Sequence, residues 1–468
     1  LRVPNYNYFV GATMRISLFR SIGALATALF LCAGPLQSQE RLTLSAAIAR
    51  ALESNPDLAV DAPGQAAARL EFKAARAGYL PRLDFEQSYL AGNNPVFVFG
   101  TLLSQQKFTA DNFALPALNA PAAQDNLQTR ATLQGTIWDF GRTRDRRDQA
   151  RLGVEMADQA HQDHRRRVLL AVYDGYYSTA LARSALETAR LAVRSAEAIE
   201  RQAQARVDSG LAVEADLLRS RAYVSLARQQ EIQAQGQLEN AVAHLNRLMG
   251  NPLGSAIGET APLTAATIEL PSEETLLAEQ KRLRPDYQNL LRELQQAEIA
   301  VRSRQKEFLP VVTGYSTWEA DNPSLKDYGG NNWAAGVTLR WNLFAGGSDA
   351  AQRDAAVQRL EQKRRQLAAM ESAMALEIRR AIIQYRTAEQ QVKAAQAAEA
   401  QSEEGLRILR NRYDAGLATM TDLLSAEAAR SQARTNMAEA NYRHRLSYAQ
   451  IEYAAGILSP TSPAVNLQ

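Results

Sequence analysis

The sequence predicts an α+β membrane protein made of two similar halves. Long antiparallel α-helical hairpins alternate with β-strands, four per chain, that contribute to a transmembrane β-barrel shared between copies. Three observations predict this: an internal repeat, long proline-free helical stretches, and four segments alternating with period two. The repeat is the plainest. Arg206-Val207-Asp208-Ser209-Gly210-Leu211-Ala212, running on to Asp216-Leu217-Leu218, returns 206 residues later as Arg412-Tyr413-Asp414-Ala415-Gly416-Leu417-Ala418, running on to Asp422-Leu423-Leu424. Asn55-Pro56-Asp57 and Tyr79-Leu80-Pro81 return after 229 residues as Arg284-Pro285-Asp286 and Phe308-Leu309-Pro310. Trp138-Asp139 returns after 203 as Trp341-Asn342. The drop in offset leaves about 26 extra residues in the first half between Pro81 and Trp138. A unit of roughly 200 residues seen twice is too long and too rare for a solenoid.

Arg142 to Ser209 and Gly346 to Ala415 contain no proline and few glycines, and Ala, Leu, Arg, Gln and Glu, all strong helix formers, dominate them. Leu186, Ala189, Val193, Ala196, Ile199, Ala203 and Val207 recur at spacings of three and four. Such a stretch makes a rod roughly 100 Å long. After each Gly-Leu-Ala a second helix begins, running to Met249-Gly250 in one half and Ala455-Gly456 in the other. A glycine at a helix end followed by an immediate restart reads as the tip of an αα-hairpin. Small alanines in the apolar stripes suit helices packed on both flanks, as staves of a cylinder. The Asp61-Ala62-Pro63-Gly64 stretch places the start of the helix before the first strand at Pro63, since proline is tolerated in a first turn.

The four period-two segments are strands. Trp333, Ala335, Val337, Leu339, Trp341 and Leu343 alternate with Asn332, Ala334, Gly336, Thr338, Arg340 and Asn342. Leu127, Ala131, Leu133 and Ile137 alternate with polar residues, as do Leu83, Phe85 and Tyr89; Val311 to Ala320 is rich in Val, Thr, Tyr and Trp. A long loop (92–126) joins one pair and a short one (321–331) the other. All four tryptophans, Trp138, Trp318, Trp333 and Trp341, fall in these strands. One apolar face, one polar face and aromatics near the ends is the pattern of an outer-membrane barrel strand, although a half-buried sheet in water alternates the same way.

The rest of the chain favours the membrane. The mean hydropathy of −0.32 excludes a bundle of transmembrane helices. Met14-Arg15 and Arg20, followed by the apolar run 22–33, read as a signal peptide over 14–39. Cys32 is the one cysteine, so no internal disulfide forms. An open sheet edge cannot sit in lipid, so a spanning sheet must close. Bacterial barrels have at least eight strands; two chains would supply eight and three would supply twelve. Eight strands leave an interior filled with side chains, so a hollow cylinder of helices favours the larger number.

Enzyme signatures are missing: no phosphate-binding glycine loop, no H-E-x-x-H, and no cysteine beyond the leader. No cofactor and no metal site are expected. His161 and His164, three apart on a helix, read as a solvent-facing pair. Arg165-Arg166-Arg167 and Lys363-Arg364-Arg365 read as solvated helix faces. With a net charge of +3, nucleic acid is not an expected partner. Arg142, Arg144, Arg146 and Arg147, directly after a strand, suit either anionic headgroups or a solvated barrel rim.

The two tips, the Leu-Pro pairs at 80–81 and 309–310, Trp-Asp-Phe-Gly at 138–141 and Trp-Asn-Leu-Phe-Ala-Gly-Gly at 341–347 resemble the TolC-type outer-membrane efflux proteins over essentially the whole mature chain. The resemblance implies a homotrimer with a twelve-stranded barrel in outer-membrane lipid and an α-helical tunnel across the periplasm. It implies a periplasmic adaptor protein docked on the tunnel and an inner-membrane pump of the RND or ABC class. The chain would then divide into periplasmic helices (40–81), a β-hairpin with a long extracellular loop (82–138) and a helical hairpin (142–250). A collar segment (251–285), a helix (286–308), a second β-hairpin (310–344), a second helical hairpin (346–456) and a tail (457–468) would follow. Gly210, Leu211, Ala212, Gly416, Leu417 and Ala418 match the adaptor-docking tips. Asp422 matches an acidic residue of the periplasmic constriction, and Tyr413 and Asp216 match partners of a hydrogen-bond link between hairpins. Ser425 stands where the type member has a second constricting aspartate, and Ala418 where it has an arginine bracing the closed state. Asp216 and Asp422 also suit a plain helix start, because acids there favour the dipole. The implied function is the exit duct of a tripartite efflux system. The same duct in type I protein secretion, and a periplasmic coiled-coil scaffold without a barrel, are the alternatives.

Overall fold

The structure, a computed structural model, describes residues 41–265 and 269–466. The expected signal segment and Cys32 lie outside the described residues. Two short helices, α1 (Leu44–Ser54) and α2 (Pro56–Ala59), lead into α3 (Asp61–Ala77) and strand β1 (Arg82–Gly92). Next come α4 (Pro95–Ser104), a 3-10 turn at Ala110–Phe113, α5 (Leu115–Asn119) and β2 (Gln124–Trp138). Helices α6 (Arg142–Asp208) and α7 (Glu214–Leu248) form the first hairpin. Then α8 (Glu273–Leu283) and α9 (Pro285–Lys306) precede β3 (Val311–Asn322) and β4 (Gly330–Arg340). The second hairpin is α10 (Ser348–Asp414) with α11 (Met420–Ala455), followed by one turn, α12 (Pro463–Asn466). Helices α6 and α10 are each 67 residues long, about 100 Å at the usual rise. Among the described residues no helix is long and apolar enough to cross a membrane.

Helix α3 starts at Asp61 rather than at Pro63. Proline sits third in the helix, where its missing N–H would have had no intrahelical partner. The four strands form one antiparallel sheet in the order β1-β2-β3-β4. Its register brings Leu83 opposite Leu133, Phe85 opposite Ala131, Ala131 opposite Trp318, and Trp318 opposite Trp333. These share one apolar, exposed face. The opposite face carries Glu86, Arg130 and Glu319, with Arg130 Nε donating to Glu319 Oε1 at 3.2 Å. Trp341 lies just past β4, which ends at Arg340, and not within the strand. Its indole N–H donates to the Phe308 carbonyl at 3.0 Å, which draws the chain away from the ladder.

The main core sits midway along the hairpins, where α1, α6, α7, α10 and α11 meet around Tyr173, Tyr176, Leu245, Ile378 and Ile451. Polar side chains lash the segment after α7 to this level. The Tyr176 hydroxyl donates to the Leu42 carbonyl (2.7 Å) and accepts from Ala261 N–H (2.8 Å). Arg183 donates to the carbonyl of Gly258 at 2.8 Å and Arg445 to that of Thr264 at 2.7 Å. Ala464 and Val465 of the tail are buried in the same core.

Strand and helix are joined by three residues at 139–141. Asp139 accepts from Gly141 N–H (2.9 Å), Thr143 N–H (2.7 Å) and the Thr143 hydroxyl (2.7 Å). Gly141 is left-handed, at φ 80°, where a side chain would be strained. Arg142 has partners within the protein. It donates to the carbonyls of Lys306 (2.7 Å) and Leu309 (2.5 Å), tying the start of α6 to the segment before β3. Arg144 and Arg147 pair with Asp148 at 3.7 and 2.6 Å.

Candidate gate at the helical tips

Each tip is closed by a glycine. Gly210 (φ 73°) and Gly416 (φ 77°) take the left-handed conformation. The next N–H then turns back onto the last helical turn: Leu211 donates to the Arg206 carbonyl at 2.8 Å and Leu417 to that of Arg412 at 2.7 Å. This satisfies carbonyls that a helix end otherwise leaves unpaired. It also pushes Leu211 and Leu417 outward, 77% and 69% exposed.

Behind the tips a small core joins the hairpins, built of Ile199, Ala203 and Leu217 from the first and Leu406, Tyr413, Met420 and Leu423 from the second. Tyr413 is buried in it, and burial pushes its phenol up from the ordinary value, with Arg206 opposing. The Arg206 guanidinium covers the Tyr413 ring at 4.5 Å and donates to the Asp414 carbonyl at 2.8 Å. Gln202 donates to Asp414 Oδ1 at 2.5 Å. Among the described residues no hydrogen bond joins Tyr413 to Asp216; Asp216 pairs with Arg219 at 3.6 Å.

Asp422 and Ser425 lie exposed one turn apart near the start of α11. Asp422 closes a capping box with Thr419, accepting from its hydroxyl (2.7 Å) and its N–H (3.0 Å) while Asp422 N–H donates back to Thr419 Oγ1 at 3.2 Å. The Thr419 hydroxyl chiefly holds the Asp422 carboxyl below its ordinary value, so it is charged at neutral pH. Ala418 packs against the tip core and Ala212 sits in the opposite turn.

Sequence reasoning missed the ties that run between hairpins. Glu427 on α11 is 2% exposed. It accepts from Arg410 (2.8 Å) and from Ser195 of the first hairpin (2.5 Å), with Arg430 at 3.3 Å. Two expectations of solvated faces fail here. His161 and His164 both turn their Nδ1 onto Asp61 of α3, at 2.9 and 3.1 Å, because α3 covers that side of α6. Arg166 is half-buried over the Tyr453 ring at 4.9 Å and donates to the Tyr453 carbonyl. Lys363, by contrast, meets Glu293 at 2.6 Å and Arg365 meets Glu361 at 3.0 Å.

A four-stranded sheet with one apolar exposed face, set on two very long helical hairpins, defines an outer-membrane channel subunit. The chain belongs to the outer membrane efflux protein family, whose signature matches residues 47–251 and 276–457. The alkaline protease secretion protein AprF of Pseudomonas aeruginosa is 25% identical over 423 residues, covering 87% of this chain and 83% of AprF. The outer membrane protein TolC of Vibrio cholerae is 25% identical over 327 residues, covering 67% of this chain and 73% of TolC. The same fold occurs in the CmeC outer membrane channel of Campylobacter jejuni, with a TM-score of 0.77 at 19% identity, covering 90% of this chain and 87% of CmeC. CusC shares it with a TM-score of 0.76 at 19% identity, covering 92% and 95%. This protein is an exit duct in the outer membrane, serving efflux or secretion, with a large helical periplasmic part. The scaffold alternative falls with that assignment, and the family is one of transport ducts rather than enzymes.

Proposed function

We propose that the chain works as a homotrimer, its three four-stranded sheets closing a twelve-stranded barrel above a tunnel of six helical hairpins. The observation that carries this is the sheet itself. β1 and β4 each pair on one side only within the chain, yet the face they share is apolar and exposed. Open edges do not occur in lipid, so neighbouring copies must complete the ladder. The recurrence of a 67-residue helix after each strand pair supports a duplicated ancestral unit. Trp138, Trp318, Trp333 and Trp341 would mark the membrane interfaces.

The periplasmic end would close at the second tip, with Asp422 and Ser425 facing the axis and Tyr413 and Asp216 in the contact between hairpins. Gly210-Leu211-Ala212 and Gly416-Leu417-Ala418 would receive a periplasmic adaptor, and through it an RND or ABC pump. Residues 251–285 and the tail would form a collar at mid-length. Protein export is a second reading, favoured by the match to AprF and to the proteases secretion protein PrtF of Dickeya chrysanthemi, 23% identical over 82% of its length. Native mass spectrometry of the detergent-extracted protein should give a trimer. A monodisperse monomer with intact β signal would overturn the reading.

A further inference from the structure

The insertion between β1 and β2 has no counterpart between β3 and β4, and it folds to one side of the sheet. The direction follows from strand parity. In β2 the even residues Asn126, Gln128 and Arg130 point to the polar face, and in the paired strands Asp321 and Asn332 join them. Helix α4 and its C-terminal turn stand on that face. Gln105, fully buried, donates to the Asp125 carbonyl at 2.8 Å and to Asn126 Oδ1 at 3.0 Å. Gly330 has no side chain for a reason: a Cβ there, on the polar side, would come within 2.4 Å of the Ser104 carbonyl. Helix α4 therefore crosses from its own β1 over β2 and β3 to β4, the opposite edge of the chain's sheet.

Its composition is odd for that position. Val98, Thr101, Leu102 and Gln105 share one helix face and pack down. The other face, Val96, Phe99 and Leu103, is open, with Val96 82% exposed. Phe99 continues into an edge-to-face chain through Phe108 (4.9 Å) and Phe113 (5.1 Å). An apolar helix on the polar face of a membrane sheet is turned away from lipid.

We infer that this insertion is an inward-folded lip at the outer mouth of the pore, and that three copies of α4 meet there in an apolar constriction. The inference rests on the trimeric-barrel reading, under which the polar face lines the lumen. The occupant of each open α4 face is the α4 of the next copy. Each helix already reaches the β4 edge where that copy's β1 would pair, so the contact continues the strand interface. Apolar constrictions gate by excluding water. This one lies at the opposite end of the duct from the charged tip, so a solute would pass two constrictions of different chemistry.

The test uses whole cells and the full-length protein. Thr132→Cys places one thiol on the polar face below the lip, and a bulky membrane-impermeant maleimide is added outside. Replacing 95–121 by a short Gly-Ser turn should raise the labelling rate several-fold. Separately, Phe99→Cys should give covalent dimers under mild oxidation without any deletion. A trimer whose Thr132→Cys labels equally fast with and without the insertion, or whose Phe99→Cys chains never cross-link, overturns the lip alone. A monomer overturns the barrel reading beneath it.

Discussion

Arg206 of the first hairpin covers the ring of Tyr413 of the second, with 4.5 Å from guanidinium carbon to ring centre. The two halves use equivalent arginines differently. Arg412, the counterpart of Arg206, stays within its own tip, donating to the Leu417 carbonyl at 3.5 Å and lying near Asp422. Arg206 leaves its hairpin and clamps the other. Its guanidinium ties the two tips together through the Tyr413 ring and the Asp414 carbonyl.

Arg206→Ala should therefore loosen the tip. A partly buried cation–π contact contributes about 1 kcal/mol, and the hydrogen bond to the Asp414 carbonyl adds to it. The resting conductance in planar bilayers should rise, with Arg206→Lys intermediate because an ammonium lacks the planar fork. Tyr413→Phe keeps the ring beneath Arg206 but removes the hydroxyl that Arg206 also meets, so it should loosen the tip less than Arg206→Ala does. A closed-state conductance that is insensitive to Arg206→Ala would refute the clamp.

Asp422→Asn separates two roles of one side chain. Asparagine still offers an oxygen to Thr419, so the start of α11 survives, but the charge is gone. Acidic rings in pores favour cations, so the reversal potential in a salt gradient should shift toward lower cation selectivity. Thr419→Ala should do the reverse, keeping selectivity while costing about 1 kcal/mol of stability through the lost cap.

Gly416 allows a graded test of docking. At φ 77° any L-residue is strained, by about 1–2 kcal/mol. Gly416→Ala and Gly416→Glu share that strain, yet only the second adds bulk and charge beside Leu417. Transport should survive the first and fail in the second, with trimer and membrane insertion intact in both. Equal transport by the two variants would argue against docking at this turn.

The Asp61 cluster predicts an acid response. Burial pushes the Asp61 carboxyl up, but hydrogen bonds from His161 and His164 outweigh it and hold the group below its ordinary value. A carboxylate lowered by folding stabilises fully above its unfolded pKa and stops as pH falls through the lowered folded value. The other charged ties between α3 and α6 run to Asp158, from Gln65 (2.9 Å) and Arg69 (3.6 Å). Hydrogen exchange in α3, corrected for intrinsic rates, should rise below about pH 4. That acid step should shrink in Asp61→Asn, and an undiminished step would assign it to other groups.

The long helices and the strands were legible in the residues because each rests on a period that sequence carries. Trp341 shows where that stops: its alternation continues β4, but a carbonyl at Phe308, remote in sequence, takes its N–H. His161, His164 and Arg166 look solvated on their own helix because nothing in α6 announces that α3 and α11 will cover them. The capping box was written in plain view as Thr419-x-x-Asp422. The clamp was not, since Arg206 and Tyr413 stand 207 positions apart.

The three-residue junction after β2 turns α6 into a lever. Asp139 caps its upper end, Arg142 fastens that end to the segment before β3, and no break interrupts the next 67 residues. Over an arm of about 100 Å, one degree of tilt carries the far end through about 1.7 Å. A helix of that length takes up such an angle by gentle curvature, without unwinding any turn. Moving the far end of α6 by a molecule's breadth thus asks for a few degrees at the end that adjoins the strands, and the four-stranded sheet need not change shape to permit it.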